Sequence, residues 1–474
     1  MKNNKEKNSA VREMMRYSIL EGAFAQIFLV LSGPGSVFIT KFAIMLGATP
    51  IDFGILTSIG RLSDVFQLFG MAITKHFKSR KAVVLPLASI GRGLVIVMAL
   101  IPLLIHDSKY AVYAFLLIFF FSASLQSISA NAWIAWISDM IPVRIRGRFF
   151  SRRNKYLIVI GTIVAFLASF YVDIFDNPSG TFARFVLKMF SALHHIPSLS
   201  MPFVFLILFV ASTVLGLIGV RFLSMQPENR NDFAKQNLGK MFKEAFKDKN
   251  FRKFLIYNFW WMFAIGIASP FWQPFMIKKL GMSLASIQIY GLISTLFSLI
   301  SLRYWGEFVD RFGNKTAMKF AIILGGINPM VWVFVKPSSA YIIYFEAAMS
   351  GIMWSGVGVI AMNFVLSIAP KGREQIYSGV LAAFSGIAIT ITAMLSGILY
   401  PKPLTIGVLH FEPEQILFAI TGVARWSAII PLMFIREYNA RPMGEAVSYL
   451  KFIIFSKMVG LTKWRFRNIN IDDK

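Results

Sequence analysis

The sequence contains no cysteine, which excludes disulfides, thiolate nucleophiles and cysteine-based metal sites together. Charge is sparse as well: charged residues make up 15% of 474, against about 25% in an ordinary globular chain. The five histidines, His76, His106, His194, His195 and His410, fall in polar connections between apolar runs. No metal cluster and no imidazole relay inside such a run is therefore expected. No Gly-x-x-x-x-Gly-Lys-[Ser/Thr] phosphate loop occurs, so neither a nucleotide nor any other cofactor is implied. What abounds is apolar surface. Hydrophobic residues account for 56% and aromatics for 15%, with 47 Phe and 10 Trp. A soluble fold of this length still leaves roughly a quarter of its chain surface in water, too much to cover with so few polar residues; a bilayer accepts the rest.

Runs of about twenty apolar residues cross about 30 Å of hydrocarbon as helices. Twelve occur, at 17–46, 52–74, 82–105, 110–138, 156–175, 201–224, 254–277, 284–305, 316–335, 340–368, 376–400 and 415–435. The expected fold is an all-α polytopic membrane protein. The runs are continuous rather than alternating, which excludes a β-barrel. The first is too long for a cleaved signal and carries Glu21 and Lys41.

An even number of spans puts both termini on one face. Most of the 49 Lys and Arg then fall on that face, in the termini, the 75–81 and 144–155 loops, the central stretch and the 307–319 and 371–374 loops. The opposite loops hold only Lys109, Arg184, Lys188, Lys278, Lys279, Lys336 and Lys402. The positive-inside rule predicts cytoplasmic termini in a multi-pass protein, with a bacterial-type plasma membrane as the expected location. The formal charge of +26 is thus explained by topology and lipid rather than by nucleic acid.

The expected organisation is a tail at 1–16, a six-helix bundle at 17–225, a charged central loop at 226–253 with an amphipathic piece at Leu238–Phe246, a second bundle at 254–436 and a basic amphipathic tail at 437–474. The halves echo each other. GMAITKHFKSRKAV from Gly70 stands between spans two and three, and GEFVDRFGNKTAM from Gly306 between spans eight and nine. After span four, Pro142 is followed by Arg146; after span ten, Pro370 is followed by Arg373. The stretch Gly306-x-x-x-Asp310-Arg311-x-Gly313-x-Lys315 resembles the loop motif of the major facilitator superfamily. That resemblance implies two pseudo-symmetric six-helix bundles, alternating access, and a cavity lined by spans one, four, seven and ten. The first-half copy departs from the motif at Thr74 and Phe77, and span five lacks the Gly-Pro-x-x-Gly-Gly bend of drug exporters. Physically, glycine at Gly306 and Gly313 serves a tight turn or a close approach. Asp310 is placed to pair across the halves, and Arg311 and Lys315 to cap helix carboxyl ends. The basic residues from 144 to 155 read foremost as topology-fixing loop charges.

A charge in mid-span costs about 2.5–3.5 kcal/mol on insertion scales and so requires a partner or a wet cavity. Glu21, Lys41, Asp139, Arg221 and Arg303 lie close enough to span ends to snorkel. Asp64 and Arg92 flank the turn near Lys78 at equal distance in sequence, which predicts a buried pair with Arg61 one turn from Asp64. Glu346 stands alone about seven residues into span ten and suits proton coupling, with Asp64 as the other candidate coupling carboxylate and H⁺ or Na⁺ as candidate ions. Arg425 lies at comparable depth and is placed to neutralise Glu346 instead.

Uncharged polar groups concentrate in the same four spans: Gln26 and the Ser32–Ser36 break, Asn131, Asn258 and Gln273, and Asn363, with Trp354 beside them. Amides against aromatic faces suit a small-molecule site, although amides also bond helix to helix. The Gly33-Pro34-Gly35 break frees carbonyls that must face protein or a cavity. The leading expectation is a monomeric secondary transporter of a small solute, in contact with lipid and not an enzyme. The alternatives are a multidrug exporter of the same fold or a polytopic enzyme acting on lipid or glycan. For an enzyme the adjacent His194 and His195 form a poor metal site, because neighbouring side chains point apart.

Overall fold

The computed structural model describes residues 2–76, 79–177, 180, 184, 188, 199–228, 246–370, 373–437 and 440–458. In the first half the helices are α1 (Lys2–Ser32), α2 (Val37–Leu46), α3 (Pro50–His76), α4 (Lys81–Leu104), α5 (Ser108–Met140), α6 (Val143–Asp176) and α7 (Met201–Ser224). The second half holds α8 (Lys249–Ala268), α9 (Leu284–Phe312), α10 (Asn314–Val333), α11 (Ile342–Ile368), α12 (Glu374–Ile398), α13 (Pro413–Ser427) and α14 (Ile429–Met433), and α15 (Met443–Met458) follows. Eleven helical segments among the described residues are long and apolar enough to cross a membrane. The second expected span is α3, 27 residues long and carrying Asp52, Arg61, Asp64 and Lys75. The Leu238–Phe246 piece (all but its last residue), His194 and His195, and the end of the C-terminal tail lie outside the described residues.

Local chemistry sets the breaks. Span one divides where expected: Pro34 supplies no N–H, Gly35 takes φ +81°, and Ser36 caps α2 by accepting from Phe38 N at 3.3 Å. Asp107 and Asp248 cap α5 and α8, each accepting two amides of the first turn. Two boundaries differ from the sequence reading. The basic run 144–155 is the first part of α6, and 307–312 is the last part of α9. Arginine and lysine are good helix formers whose apolar stems lie along a helix while the charged ends reach water, so a run of them extends a span instead of ending it. A small antiparallel hairpin, Leu404–Ile406 with Leu409–Phe411, turns through Gly407 on the face away from the termini, in the connection between the last two spans.

Packing differs between the two faces. Away from the termini one apolar core runs through both halves. In it Phe42 meets Phe115, Phe205 and Phe209 edge-on, and Trp272 stacks flat on Phe418 at 4.1 Å. Toward the termini there are two separate cores, one of first-half residues around Trp136 and one of second-half residues around Trp261. The halves are joined at one end and part toward the other.

The two-fold repeat is visible in the caps. Glu228, just after α7, accepts the amides of Arg80 at 2.6 Å and Lys81 at 3.1 Å at the start of α4. Glu437, just after α14, accepts the amides of Asn314 at 2.9 Å and Lys315 at 2.6 Å at the start of α10. Lys81 Nζ reaches back to Gln226 O, and Lys315 Nζ to Met433 O and Ile435 O. Carboxylates at helix N-termini and cations at C-termini both suit the helix dipole.

Candidate functional site

A cavity of about 720 Å³ lies between the halves, lined mainly by α1, α2, α3 and α5, with α8, α12 and the turn at Trp272–Pro274 closing it from the second half. At its inner wall Glu21 of α1 is only 6% exposed and Arg92 of α4 only 5%. Glu21 Oε1 lies 3.3 Å from Arg92 Nη2 and its Oε2 lies 3.5 Å from Arg153 Nη2 of α6, so one carboxylate serves two guanidiniums. Arg92 also donates to Gly216 O of α7, and Arg153 donates to Ser18 O at 3.1 Å and lies 4.6 Å above the Trp133 ring. Glycine makes the room: a Cβ at Gly22 would fall 2.4 Å from Arg153 Nη2, and one at Gly219 3.0 Å from Arg92 Nη1.

A second buried polar cluster lies inside the other half, away from the cavity. Glu346 of α11 has no exposed surface. It accepts from Tyr290 Oη of α9 at 2.9 Å and from Asn328 Nδ2 of α10. Arg425 of α13 is 2% exposed and donates to Gly325 O at 3.1 Å. Each half thus buries one arginine against a glycine carbonyl, on its third span in the first half and on its last span in the second.

On the face away from the termini the halves are bonded directly. Gln273 Nε2 donates to Gly35 O at 3.0 Å, so a carbonyl freed by the Gly-Pro-Gly break is taken up by the other half. Thr40 donates to Gln273 Oε1, and Ser58 of α3 to Thr390 O of α12 at 3.1 Å. Asp173 of α6 accepts the first two amides of α9, Leu284 N at 2.8 Å and Ala285 N at 2.9 Å. These bonds between the halves, with that from Lys278 Nζ to Ala48 O, all lie toward this face.

The profile of the Major Facilitator Superfamily matches residues 22–393. The chain belongs to this family. Solved structures with a similar fold include the nucleoside transporter NupG, with 14% identity, 90% of this chain and 99% of that chain covered, and a TM-score of 0.65. A D-xylose-proton symporter follows, with 13% identity, 90% and 98% coverage and a TM-score of 0.64. A bacterial homologue of the human lysosomal transporter Spinster has 14% identity, 97% and 99% coverage and a TM-score of 0.53. No curated protein matches the chain.

Within the family frame, the residues singled out from sequence take different places. Gln273 lines the cavity; Gln126 and Trp133 of α5 do so as well. Gln26 packs instead on Gly161 of α6, and Asn258 donates to Ser385 Oγ at 2.7 Å, a helix-to-helix bond inside the second half. Asn131, Trp354 and Asn363 are not among the lining residues, and α11 contributes none. It was expected to line the cavity, but it packs between α9 and α10 and turns Glu346 into its own bundle. The expected Asp64–Arg92 pair is replaced on the arginine side by Glu21 and Gly216. The side chain of Asp64 and the surroundings of Gly70 lie outside what is described. Arg61 lines the cavity and is exposed.

In the motif loop Gly313 takes φ +82° and alone links α9 to α10, as a turn glycine should. Gly306 lies within α9, and a Cβ there would meet nothing, so no close approach explains it. Asp310 is exposed and has no ion-pair partner among the described residues. Arg311 lies 4.0 Å over the Tyr449 ring of α15; Lys315, not Arg311, caps the carboxyl end. Arg146 caps the end of α5 through Ser138 O and Ile141 O, and Arg373 stands at the start of α12. Among the residues set aside as snorkelling, Lys41 pairs with Asp176 at 2.7 Å and Asp139 with Arg80 at 2.6 Å. Glu21 does not snorkel; it is buried. Sequence reasoning missed Glu21, Arg153 and Asp173 as site residues.

Proposed function

We propose that this protein is a secondary active transporter that moves a small solute by alternating access. The observation that carries the reading is the pairing of one shared core on the face away from the termini with two separate cores toward the termini, around a cavity whose lining mixes apolar walls with charged and polar groups. Two bundles, bounded near 17–225 and 254–436, would rock about that cavity, and the arrangement described here is open toward the terminal face. The excess of Lys and Arg on that face supports a cytoplasmic location for it. Glu346 is the candidate for proton coupling: it is a buried carboxylate held by Tyr290 and Asn328 with the buried Arg425 guanidinium acting on it from α13, and it sits where helices α9, α10 and α11 meet.

The absence of cysteine makes the test clean. Cysteines at Ser58 and Thr390, oxidised in proteoliposomes, should stop counterflow of a transported solute, and reduction should restore it. Full counterflow with the two cysteines bonded would overturn the alternating-access reading.

A further inference from the structure

We infer that the cavity takes an organic anion, a carboxylate or phosphate monoester with an apolar body; the inference rests on the transporter reading above and names its substrate class. Among the described residues the charged groups lining the cavity are Glu21, Arg61, Arg92 and Arg153, three guanidiniums against one carboxylate. Glu21 is already shared by two of them. Arg61 is exposed to the cavity and has no ion-pair partner among the described residues. The excess is large enough to survive one more carboxylate, such as Asp64 one turn along α3.

A mid-span charge is tolerated beside a partner or a wet cavity; a transported anion supplies Arg61 with a partner, while a cation would meet repulsion and desolvation together. The uncharged lining points the same way. Gln126 and Ser127 add an amide and a hydroxyl to the lining; Gln126 Nε2 and Ser127 Oγ are turned away from the open space without a hydrogen-bond partner among the described residues, so rotating them toward an acceptor-rich head group breaks no bond. A guanidinium also matches the paired oxygens of carboxylate and phosphate in geometry. Phe28, Phe53, Trp133 and Trp272 supply flat apolar walls, and about 720 Å³ falls within the range of small-molecule sites. An inorganic ion would leave those walls unused; an organic body would not.

The full chain, purified in detergent and also reconstituted, is tested against matched probes. Benzoate, succinate and glycerol phosphate form the anion arm, benzamide and glycerol the neutral arm, and benzylamine the cation arm. The expected result is thermal stabilisation and counterflow with at least one anion and with neither other arm. Whether carboxylate or phosphate responds separates the two head groups. Arg61→Gln should weaken that response about tenfold or more, since a hydrogen bond to a charged group is lost. Arg61→Lys should retain most of it, and Arg303→Gln, on the exposed face of α9, should not change it. A response to benzamide or benzylamine equal to or above that of every anion overturns the inference, as does no response in any arm or an unaltered response in Arg61→Gln. Counterflow of benzylamine alone would sink the anion and keep the transporter. Anion-specific stabilisation without counterflow would do the reverse.

Discussion

Asp173 of α6 accepts the amide of Leu284 at 2.8 Å, and through its other oxygen the amide of Ala285, at the first turn of α9. The carboxylate is only 4% exposed and belongs to one half, whereas the helix end belongs to the other. A negative group on two orphan amides at a helix N-terminus is a strong place for a latch. It closes the face away from the termini only while the halves are together there.

Asp173→Asn should therefore weaken closure of that face. Each charge-assisted bond lost is worth about 1.5–3 kcal/mol, enough to shift a two-state population by about tenfold or more. The measurement is labelling of a single cysteine at Thr57, on the cavity wall, by an impermeant maleimide added from that face in oriented vesicles. Faster labelling in Asp173→Asn is expected; equal labelling would mean the contact does not hold the closed state.

Glu228 and Glu437 hold equivalent helix starts, α4 and α10. If the repeat is energetic as well as geometric, Glu228→Ala and Glu437→Ala should cost similar stability, about 1–2 kcal/mol each. Thermal unfolding in detergent checks this. A large drop for one and none for the other would make the symmetry one of shape only.

Much of this was legible in the sequence because it depends on length and local chemistry. Twenty apolar residues must span as a helix, Gly-Pro-Gly must break one, and Gly313 must turn. What could not be read was which way a side chain points between helices distant in sequence. Asp64 and Arg92 flank their hairpin at equal distance, but depth is only one coordinate; the other is the angle around α4, and at Arg92 that angle faces α1 and α7. Glu21 was discounted for lying near a span end, yet the helix containing it begins at Lys2, so nearness to a span end did not mean nearness to water. Arg153 was hidden by the assumption that a basic run is a loop. Asp173 was missed because its partner is backbone, which leaves no mark in sequence.

The Glu21–Arg92 pair is testable by coupling. Removing one member of a buried pair leaves an uncompensated charge, which costs about 3–5 kcal/mol. Glu21→Gln and Arg92→Gln should each lower the melting temperature sharply, and the double variant should fall by less than the sum. Asp64→Asn combined with Arg92→Gln should show no such relief. The opposite pattern, relief with Asp64 and none with Glu21, would return the pairing to the hairpin.

Glu346 is held by Tyr290 and Asn328 inside the second half and does not touch the cavity lining. If it couples a proton, it must do so through motion of α11 against α9 and α10, not by touching the solute. Glu346→Gln keeps the side chain's shape and an acceptor for Tyr290 but cannot ionise. It should abolish pH-driven accumulation in proteoliposomes and leave solute exchange at equal pH within about twofold, the exchange barrier shifting by less than about 0.4 kcal/mol. Accumulation that persists in Glu346→Gln would assign the cluster to holding the bundle together, and loss of exchange along with accumulation would place Glu346 in the transport movement itself.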